Sequence, residues 1–389
     1  MNSALVLPEK ATHQQTRTFN QQLVLRAVYD HSPTSRADIA RLTGLTRTSV
    51  SDLVGELIDD GLVEETGRGS STGGKAPIML SFVPDGRHVI GLDLGEGAFR
   101  GALVNLRGEV LRSLRRPLDG RQGEDKLDLV HELVDALRAD SQRPLLGVGI
   151  GAPGLIDTST GTVRWAAHLD WSRLRLGPLV EARHELPVVV ANDAQAAALA
   201  ELTFFRRPRP QNLIVVRVGR GIGAGIIVNR QLFQGDGFGA GEIGHVACGG
   251  ERRCGCGNIG CLETVASVDS MIRLAAETDP SISDADRLAS AFRAGSEPVT
   301  SIAAAGGREL GRAIGGLIGA LNIQHVLIVG EAAYLGRKWL EIVQQSARGS
   351  ALPMLAHDTT IDFGHPQNDV ELGASALLMN AQLGLSLAR

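Results

Sequence analysis

Residues that bind transition metals are concentrated in one short, glycine-rich segment. One imidazole and three thiols lie there, at His245, Cys254, Cys256 and Cys261. This set is complete for a closed, tetrahedral structural zinc site, and the glycines between the cysteines let the backbone wrap around a small ion. We therefore predict structural zinc and regard Cys248, which lies outside the spacing, as a bystander. The alternative is a loop of reduced, metal-free thiols.

The positions of the cysteines also bear on the compartment. All four lie in one stretch, whereas a disulfide framework would spread them along a small secreted chain. The segment 1–17 is polar and lacks the charged-then-apolar order of a signal peptide. No apolar run approaches membrane-spanning length. We therefore expect a cytoplasmic protein that does not contact a membrane.

Length and composition limit what the chain can be. Its 389 residues are enough for two or three domains. A content of 43% hydrophobic and 21% charged residues is typical of a globular protein. The net charge of -4 indicates no global basic surface, so DNA binding would have to rest on a local module. With only 4% aromatic residues, stacking platforms for single-stranded nucleic acid are not expected.

The N-terminal part predicts a helix-turn-helix. After a polar tail over 1–15 that we expect to be disordered, apolar residues take helical spacing from Phe19. A second helix over 36–42 stops at Gly44, and a third runs from a Thr46 cap to about residue 60. A short helix, a tight glycine turn and a second helix form the motif that enters the DNA major groove.

A wing is predicted directly after these helices. Residues 62–64 have a strand pattern, 67–75 form a loop of glycine and serine, and 77–82 have the pattern of a returning strand. We therefore expect a winged helix-turn-helix DNA-binding domain over 16–84. The alternative is a helical domain whose helices only pack against one another.

The third helix and the wing carry the residues that we expect to face DNA. The first turn of the helix would meet base edges, Thr46 would cap the helix beside a phosphate, and the wing would reach phosphates or the minor groove. A two-fold operator would require a dimer. The candidate DNA-binding residues are Arg36, Thr46, Arg47, Thr48, Ser49, Ser51, Arg68 and Lys75.

The rest of the chain contains an internal repeat. Each copy is a buried strand, a glycine turn, a second strand that contains Val-Asn, and then a helical pattern. Two α/β halves built on one plan predict two lobes with a cleft between them. The strand pairs are 88–95 with 101–108 and 213–219 with 225–230, and the helical patterns are 127–140 and 303–321.

These motifs resemble those of the ROK family (repressors, open reading frames and kinases). The resemblance rests mainly on 239–245, which reads Gly-Ala-Gly-Glu-Ile-Gly-His, and on 254–263 with its three cysteines. The glycine-rich segment 149–154, Asn-Asp-Ala at 192–194 and Ile-Val-Gly at 328–330 follow in the family's order. The resemblance begins at about residue 88, and the preceding winged helix-turn-helix resembles the repressor branch of the family.

The resemblance implies an α/β fold for 85–389. We expect a two-lobed, actin-like sugar-kinase fold of the ribonuclease H-like ATPase type, with a structural zinc site. The second lobe would begin near residue 200, and a C-terminal helix would return to the first lobe. The family assigns the same histidine and three cysteines to zinc.

A sugar site is expected in the cleft, because a ring of hydroxyls needs carboxylate and amide groups that converge. Asp193 matches the general base of the kinases, but the family's repressors keep it too, so it does not discriminate between the two activities. His168 stands where relatives often carry Asn and would contact the ligand or only line its approach. The candidate sugar-binding residues are Gly154, His168, Asn192, Asp193, Glu242, His245 and Glu263.

Three turns depart from the ATP-binding pattern of the family's kinases. Glu96 replaces a glycine in the first turn, Arg220 replaces a threonine in the second, and Glu331 replaces a glycine in the adenine loop. Phosphoryl transfer needs backbone that approaches the phosphates closely. Arg220 could still bind a phosphate, or pair with Glu96 across an empty cleft. We therefore expect no kinase activity.

The combined prediction is a sugar-responsive DNA-binding regulator, most simply a repressor of carbohydrate uptake or catabolism genes. Its partners would be operator DNA, a small sugar effector and further copies of itself, as a dimer or tetramer. One alternative is an ATP-dependent sugar kinase with an accessory DNA-binding domain. Another is a non-catalytic scaffold whose helix-turn-helix only contacts protein.

Overall fold

The computed structural model describes residues 12–70, 76–95, 97–123, 125–206, 208–365 and 369–385. The chain forms two compact units. The N-terminal unit comprises the residues up to Arg87 together with 379–385, and the large unit comprises His88–Leu378. None of the helices in these described ranges is long and apolar enough to cross a membrane.

The N-terminal unit contains three helices and a small antiparallel sheet in the strand order β1-β3-β2. Its buried core is formed by apolar residues at helical spacing, among them Val24, Val28, Ile39, Val50 and Leu57. The predicted winged helix-turn-helix is confirmed. The elements are α1 (His13–His31), β1 (Thr34–Ser35), α2 (Arg36–Thr43), α3 (Arg47–Asp59), β2 (Val63–Arg68) and β3 (Ile78–Phe82).

Local capping chemistry sets the ends of these helices. The Ser35 hydroxyl accepts from the Asp38 N–H, and Gly44 ends α2 with a φ of 72°. Thr46 caps α3 by accepting from the Ser49 N–H. These ends match the predicted ones within a residue, because each signal acts over a few neighbouring positions.

Two predicted boundaries in this unit are wrong. Thr12 and Gln15 form a capping box that starts α1 at His13, so residues 13–15 are helical rather than part of a disordered tail. Residues 1–11 of that tail lie outside the described part of the chain. Strand β2 continues to Arg68 rather than ending at residue 64, since it keeps pairing with β3 past an irregularity between Glu65 and Gly67.

The large unit begins with a first lobe built on a five-stranded sheet in the order β11-β7-β4-β5-β6, beside a three-stranded sheet in the order β10-β9-β8. The elements are β4 (His88–Asp93), β5 (Ala98–Asn105), β6 (Val110–Pro117), α4 (Asp125–Asp140), β7 (Leu145–Ala152), β8 (Leu155–Asp157), β9 (Thr162–Ala166), β10 (Trp171–Leu174), α5 (Leu176–His184) and β11 (Val188–Asn192). Strand β11 leads into helix α6 (Asp193–Ala200), which packs mainly against the sheet of the second lobe.

The second lobe carries a five-stranded sheet in the order β14-β13-β12-β15-β16. The elements are β12 (Leu213–Val218), β13 (Ile222–Val228), β14 (Gln231–Phe233), α7 (Glu263–Ala266), α8 (Val268–Ala276), α9 (Ala285–Ala294), α10 (Val299–Leu321), β15 (His325–Val329), α11 (Arg337–Ser350), α12 (Pro353–Asp358) and β16 (Thr360–Phe363). The last helix in the chain is α13 (Asp369–Leu383).

The two sheets share one plan, which confirms the predicted internal repeat and the α/β fold. In the first lobe β4 pairs antiparallel with β5 and parallel with β7. In the second lobe β12 pairs in the same way with β13 and β15. In both lobes the glycine turn between the first two strands is therefore at the carboxyl edge of the parallel strands, where α/β proteins bind ligands.

Helix α13 packs against the first lobe, although it follows the second lobe in the chain. The approach is close enough that a side chain on Gly91 of β4 would collide with the Glu371 carbonyl, and one on Gly149 of β7 with the Ala374 carbonyl. Backbone-to-backbone packing of this kind requires glycine. It places the first turn of α13 beside the carboxyl ends of β4 and β7.

Candidate functional site

The large unit contains a cleft with a volume of about 590 Å³, lined by both lobes. Its size is typical of a small-molecule site. All seven residues predicted to contact a sugar line this cleft. They are Gly154, His168, Asn192, Asp193, Glu242, His245 and Glu263.

Asn192 and Asp193 are positioned where strand β11 gives way to helix α6. The Asn192 side-chain oxygen accepts from the Ala194 and Gln195 backbone N–H groups, so it caps the helix. Its amide group donates to the Gly154 carbonyl at 3.0 Å. One side chain therefore fixes the helix start and the Gly154 turn, and Asp193 is left at the cleft surface.

The opposite wall carries Glu242, His245 and Glu263. The Glu263 carboxylate accepts from the Ile222 backbone N–H at 3.2 Å, which ties it to strand β13. The His245 Nε2 atom lies 3.8 Å from the Glu242 carboxylate. Burial raises the pKa of Glu242 to about 7. These groups offer acceptors, and in part donors, to the hydroxyls of a ligand.

The four predicted metal ligands come together. Their ligand atoms all lie within 4.8 Å of one another. The Cys256 and Cys261 sulfurs are 3.7 Å apart, and the Cys254 sulfur is 3.5 Å from the His245 Nδ1 atom. A tetrahedral zinc ion with Zn–S bonds of about 2.3 Å would hold two sulfurs about 3.8 Å apart. The residues therefore fit such an ion.

This cluster forms part of the cleft wall. His245 and Cys256 line the cleft directly, and Glu263 lies 3.8 Å from the Cys254 sulfur. An ion bound here would leave the His245 Nε2 atom facing Glu242 and the cleft. Cys248 does not belong to the group, as predicted.

One functional side chain was missed by the sequence analysis: Arg217 of β12. Its guanidinium donates to the Asp193 carboxylate at 3.0 Å and lies 3.8 Å from Asp93 and 3.5 Å from Asp369. Arg217 thus joins β12 of the second lobe to the ends of β4 and β11 and to the start of α13. Burial raises the pKa of Asp193, and the charge of Arg217 opposes that rise.

A second arginine extends the group. Arg100 of β5 pairs with Asp93 at 2.5 Å and lies 3.6 Å from Glu371 of α13. Burial raises the pKa of Glu371 to about 7, and the nearby charge of Asp93 adds to the rise. We refer to these six residues as the arginine–carboxylate cluster: Asp93, Arg100, Asp193, Arg217, Asp369 and Glu371.

The sequence does contain a signal for this cluster. Strand β12 reads Leu-Ile-Val-Val-Arg-Val, and all its residues except Arg217 are buried apolar side chains. A single cation within such a strand must have partners, because an unpaired buried charge is strongly destabilising. The partners come from other elements, so the strand alone does not identify them.

Two of the three residues that depart from the kinase pattern belong to the described part of the chain. Arg220 and Glu331 both line the cleft. The Arg220 guanidinium reaches Gly97, where an added Cβ would lie 3.1 Å from it. Glu96, and with it the predicted Glu96–Arg220 pair, lies outside the described residues.

In the N-terminal unit the start of α3 presents polar side chains to solvent. Thr46, Arg47, Thr48 and Ser51 are exposed, and Ser49 is half-buried, with its hydroxyl 2.9 Å from that of Thr46. The opposite face of the helix is buried in the core. This polarity is that of a helix with one face free for a partner.

The remaining predicted DNA-binding residues differ in their surroundings. Arg36, at the start of α2, pairs with Glu65 of the wing at 2.9 Å, so part of its charge is already engaged. Arg68 is exposed at the end of β2. Lys75 lies outside the described residues.

Two family models match the chain. The ROK family matches residues 89–380, and the MarR family matches residues 16–71. The two matches correspond to the large unit and to the winged helix-turn-helix of the N-terminal unit.

Relatives over most of the chain are described as transcription regulators. The xylose repressor of Caldicellulosiruptor bescii is 34% identical over 86% of this chain and 88% of its own. The transcriptional dual regulator NagC of Escherichia coli is 29% identical over 94% of both chains.

Solved structures that are similar to this chain include a transcriptional regulator and a kinase. A ROK transcriptional regulator, described as a homologue of the Escherichia coli Mlc protein, has a TM-score of 0.81 at 26% identity over 95% of this chain and 97% of its own. A ROK glucokinase from Streptomyces griseus, solved with glucose and AMPPNP, has a TM-score of 0.68 at 25% identity over 75% of this chain and 98% of its own.

Proposed function

We propose that this chain, which belongs to the ROK family, is a DNA-binding transcriptional repressor that responds to a sugar. The observation that carries the proposal is the presence of two sites in one chain. The N-terminal unit presents the polar face of α3, and the large unit has a cleft into which seven candidate sugar-binding groups converge. The relatives named as xylose repressor and NagC support the same function.

The sugar would be held by the groups that line the cleft on both lobes. Asn192 and Asp193 are fixed on the first lobe, and Glu242, His245 and Glu263 on the wall beside the cysteines. Bound hydroxyls would bridge the lobes, so the ligand favours one lobe geometry over others. A ligand shifts a conformational equilibrium by its difference in affinity for the two states.

The metal in this proposal is a structural zinc ion held by His245, Cys254, Cys256 and Cys261. The ion would stabilise the segment that contains these four ligands. It would also orient the His245 imidazole, whose Nε2 atom lies near Glu242 at the cleft. We also propose that the protein works as a homo-oligomer, because a two-fold operator is contacted by two copies of α3. We place this function in the cytoplasm.

Kinase activity is not part of the proposal. Asp193 does not decide this question, because its carboxylate accepts from Arg217 at 3.0 Å and still has lone pairs for a sugar hydroxyl. Arg220 and Glu331 stand in the part of the cleft where the kinase pattern has threonine and glycine. Because a glucokinase is among the similar structures, kinase activity should be assayed directly. Turnover of a hexose with Mg-ATP at ordinary kinase rates, about 1–100 per second, would establish the kinase alternative.

DNA binding is tested by fluorescence anisotropy with the region upstream of the protein's own gene. We expect salt-sensitive, sequence-selective binding that weakens roughly tenfold in Arg47→Ala, because a side chain on a base edge contributes about 1–3 kcal/mol to discrimination. Arg112→Ala is the matched control, since Arg112 is an exposed arginine of the large unit. Equal binding by the unmodified protein, Arg47→Ala and Arg112→Ala, or binding without sequence preference, would refute the proposed role of α3 in DNA recognition.

The sugar response is tested on the same zinc-loaded protein. Thermal unfolding against a panel of sugars should show stabilisation by at least one of them, since a ligand stabilises the state to which it binds. The stabilising sugar should also change the affinity for the operator. A sugar that stabilises the protein and leaves operator affinity unchanged would refute the coupling between the two sites.

A further inference from the structure

The cleft contains an exposed aromatic side chain that packing does not explain. The chain has only three tryptophans. Trp171 and Trp339 are buried, and their indole N–H groups donate to the Gly123 and Ala303 carbonyls. Trp165 is 41% exposed and lines the cleft. Within the described part of the chain, its indole N–H has no acceptor.

Local structure places Trp165 beside the Gly154 turn, which lines the same cleft. Trp165 lies on β9 and pairs with Leu155 of β8, where the register shifts by a bulge. Bulges re-aim the side chains beside them. The Trp165 backbone also packs against Gly154, where any side chain would collide with its carbonyl. The Trp165 backbone therefore lies next to the turn that Asn192 fixes.

The cleft is larger than a single sugar ring requires. A hexose displaces roughly six waters, or about 180 Å³ at about 30 Å³ per water. The cleft holds about 590 Å³, so a monosaccharide at the converging carboxylates leaves free volume, part of it lined by Arg220 and Glu331 and part of it by Trp165. Trp165 offers a flat apolar face with a hydrogen-bond donor at its edge, the combination that suits the C–H face and hydroxyls of a second sugar ring.

We propose that Trp165 forms a second sugar subsite and that the effector is a disaccharide or short oligosaccharide. This inference rests on the proposed sugar response. One ring occupies the site formed by Asn192, Asp193, Glu242 and Glu263, and the next ring stacks on the indole. Tyr334, also exposed in the cleft at 42%, lies on the second lobe beyond Glu331 and is not part of this subsite.

Calorimetric titration of the full-length, zinc-loaded protein tests the subsite. The probes are matched pairs: xylose with xylobiose, glucose with cellobiose, and N-acetylglucosamine with its β-1,4 dimer. At least one disaccharide should bind ten times more tightly than its monosaccharide or better. Trp165→Ala should abolish that difference and leave monosaccharide affinity within twofold, and Trp165→Phe should retain part of it. Tyr334→Ala is the matched control and should retain all of it.

The possible results separate this inference from the proposed function. If a monosaccharide binds and no disaccharide binds more tightly, the second subsite is refuted and the sugar response stands. If Trp165→Ala weakens both members of a pair equally, Trp165 belongs to the first site and the subsite is again refuted. If no sugar of either size binds, the sugar response and the subsite fall together.

Discussion

Replacing Arg217 by methionine removes the cation that three acidic side chains share. Methionine replaces the aliphatic stem of arginine but not its guanidinium, so the main change is the loss of charge and donors. The Asp193, Asp369 and Asp93 carboxylates, at 3.0, 3.5 and 3.8 Å from the guanidinium, would lose this partner. Arg100 would remain beside Asp93.

The expected cost follows from this geometry. The Arg217 side chain is only 17% exposed, so solvent screens these charges weakly. Removing one partner of a buried ion pair costs about 3–5 kcal/mol. At about 2–4 °C per kcal/mol for a domain of this size class, the melting temperature at pH 8 should fall by roughly 10 °C. Arg217→Lys should lose less, because one ammonium group can still pair with one carboxylate.

The pH dependence gives the sharper test. Without Arg217 the pKa of Asp193, already raised by burial, rises further in the folded protein and lies above its unfolded value. The folded state then binds a proton at Asp193 before the unfolded state does, so the contribution of this group to the stability of the variant increases as the pH falls. The difference from the unmodified protein should therefore narrow between pH 8 and pH 5. A second substitution, Asp193→Asn, should restore about 1 kcal/mol at pH 8.

Urea unfolding of the unmodified protein and the variants at both pH values measures these differences. Unchanged slopes with denaturant concentration would show that the same surface is exposed on unfolding in each protein. A loss below about 1 kcal/mol in Arg217→Met would mean that the cluster is not a buried network of the kind described. An equal loss at pH 8 and pH 5 would refute the assignment of the cost to unpaired carboxylates.

Three further predictions concern the metal, pH and packing. Cys254→Ser, or a chelator, should release one zinc ion per chain, as measured by elemental analysis. Sugar binding should weaken more than operator binding, because the metal ligands form part of the cleft wall. Equal weakening of the two affinities would contradict this prediction. Burial lowers the pKa of His131 and His184, whose Nδ1 and Nε2 atoms lie 3.0 Å apart. Folding stability should therefore fall as the pH drops below about 6.5, and it should fall less in His131→Asn. Gly373→Ala should yield little folded protein, because the added Cβ would collide with a backbone carbonyl of α6. Gly316→Ala is the control: its Cβ would enter open space, so the free energy of unfolding should stay the same or rise by up to about 1 kcal/mol.

The features that could be predicted from the sequence depend on short-range signals. The Ser35 and Thr46 caps and the Gly44 stop each act within one helical turn, so they locate α2 and α3 within a residue. The cysteine segment is equally local, and its ligands converge as expected. The repeat of strand, glycine turn and strand could be predicted because each copy is continuous in the sequence.

The features that were missed depend on distant partners. Strand β2 extends through Gly67 and Arg68 because β3 continues to pair with them, and these residues read as loop when considered alone. The partners of Arg217 come from positions 93, 193 and 369. No local pattern connects those positions, so the sequence indicates that the arginine needs partners but not which ones.

The division of the chain into units has a consequence for the order in which the protein is made. The N-terminal unit includes Met379 and Leu385, which are fully buried, and Gly384, where an added Cβ would lie 2.9 Å from the Gln22 side chain. Synthesis proceeds from the N-terminus, so the whole large unit is translated between the first and last parts of the N-terminal unit. The DNA-binding unit can therefore complete its packing only after the sugar-binding unit has been synthesised.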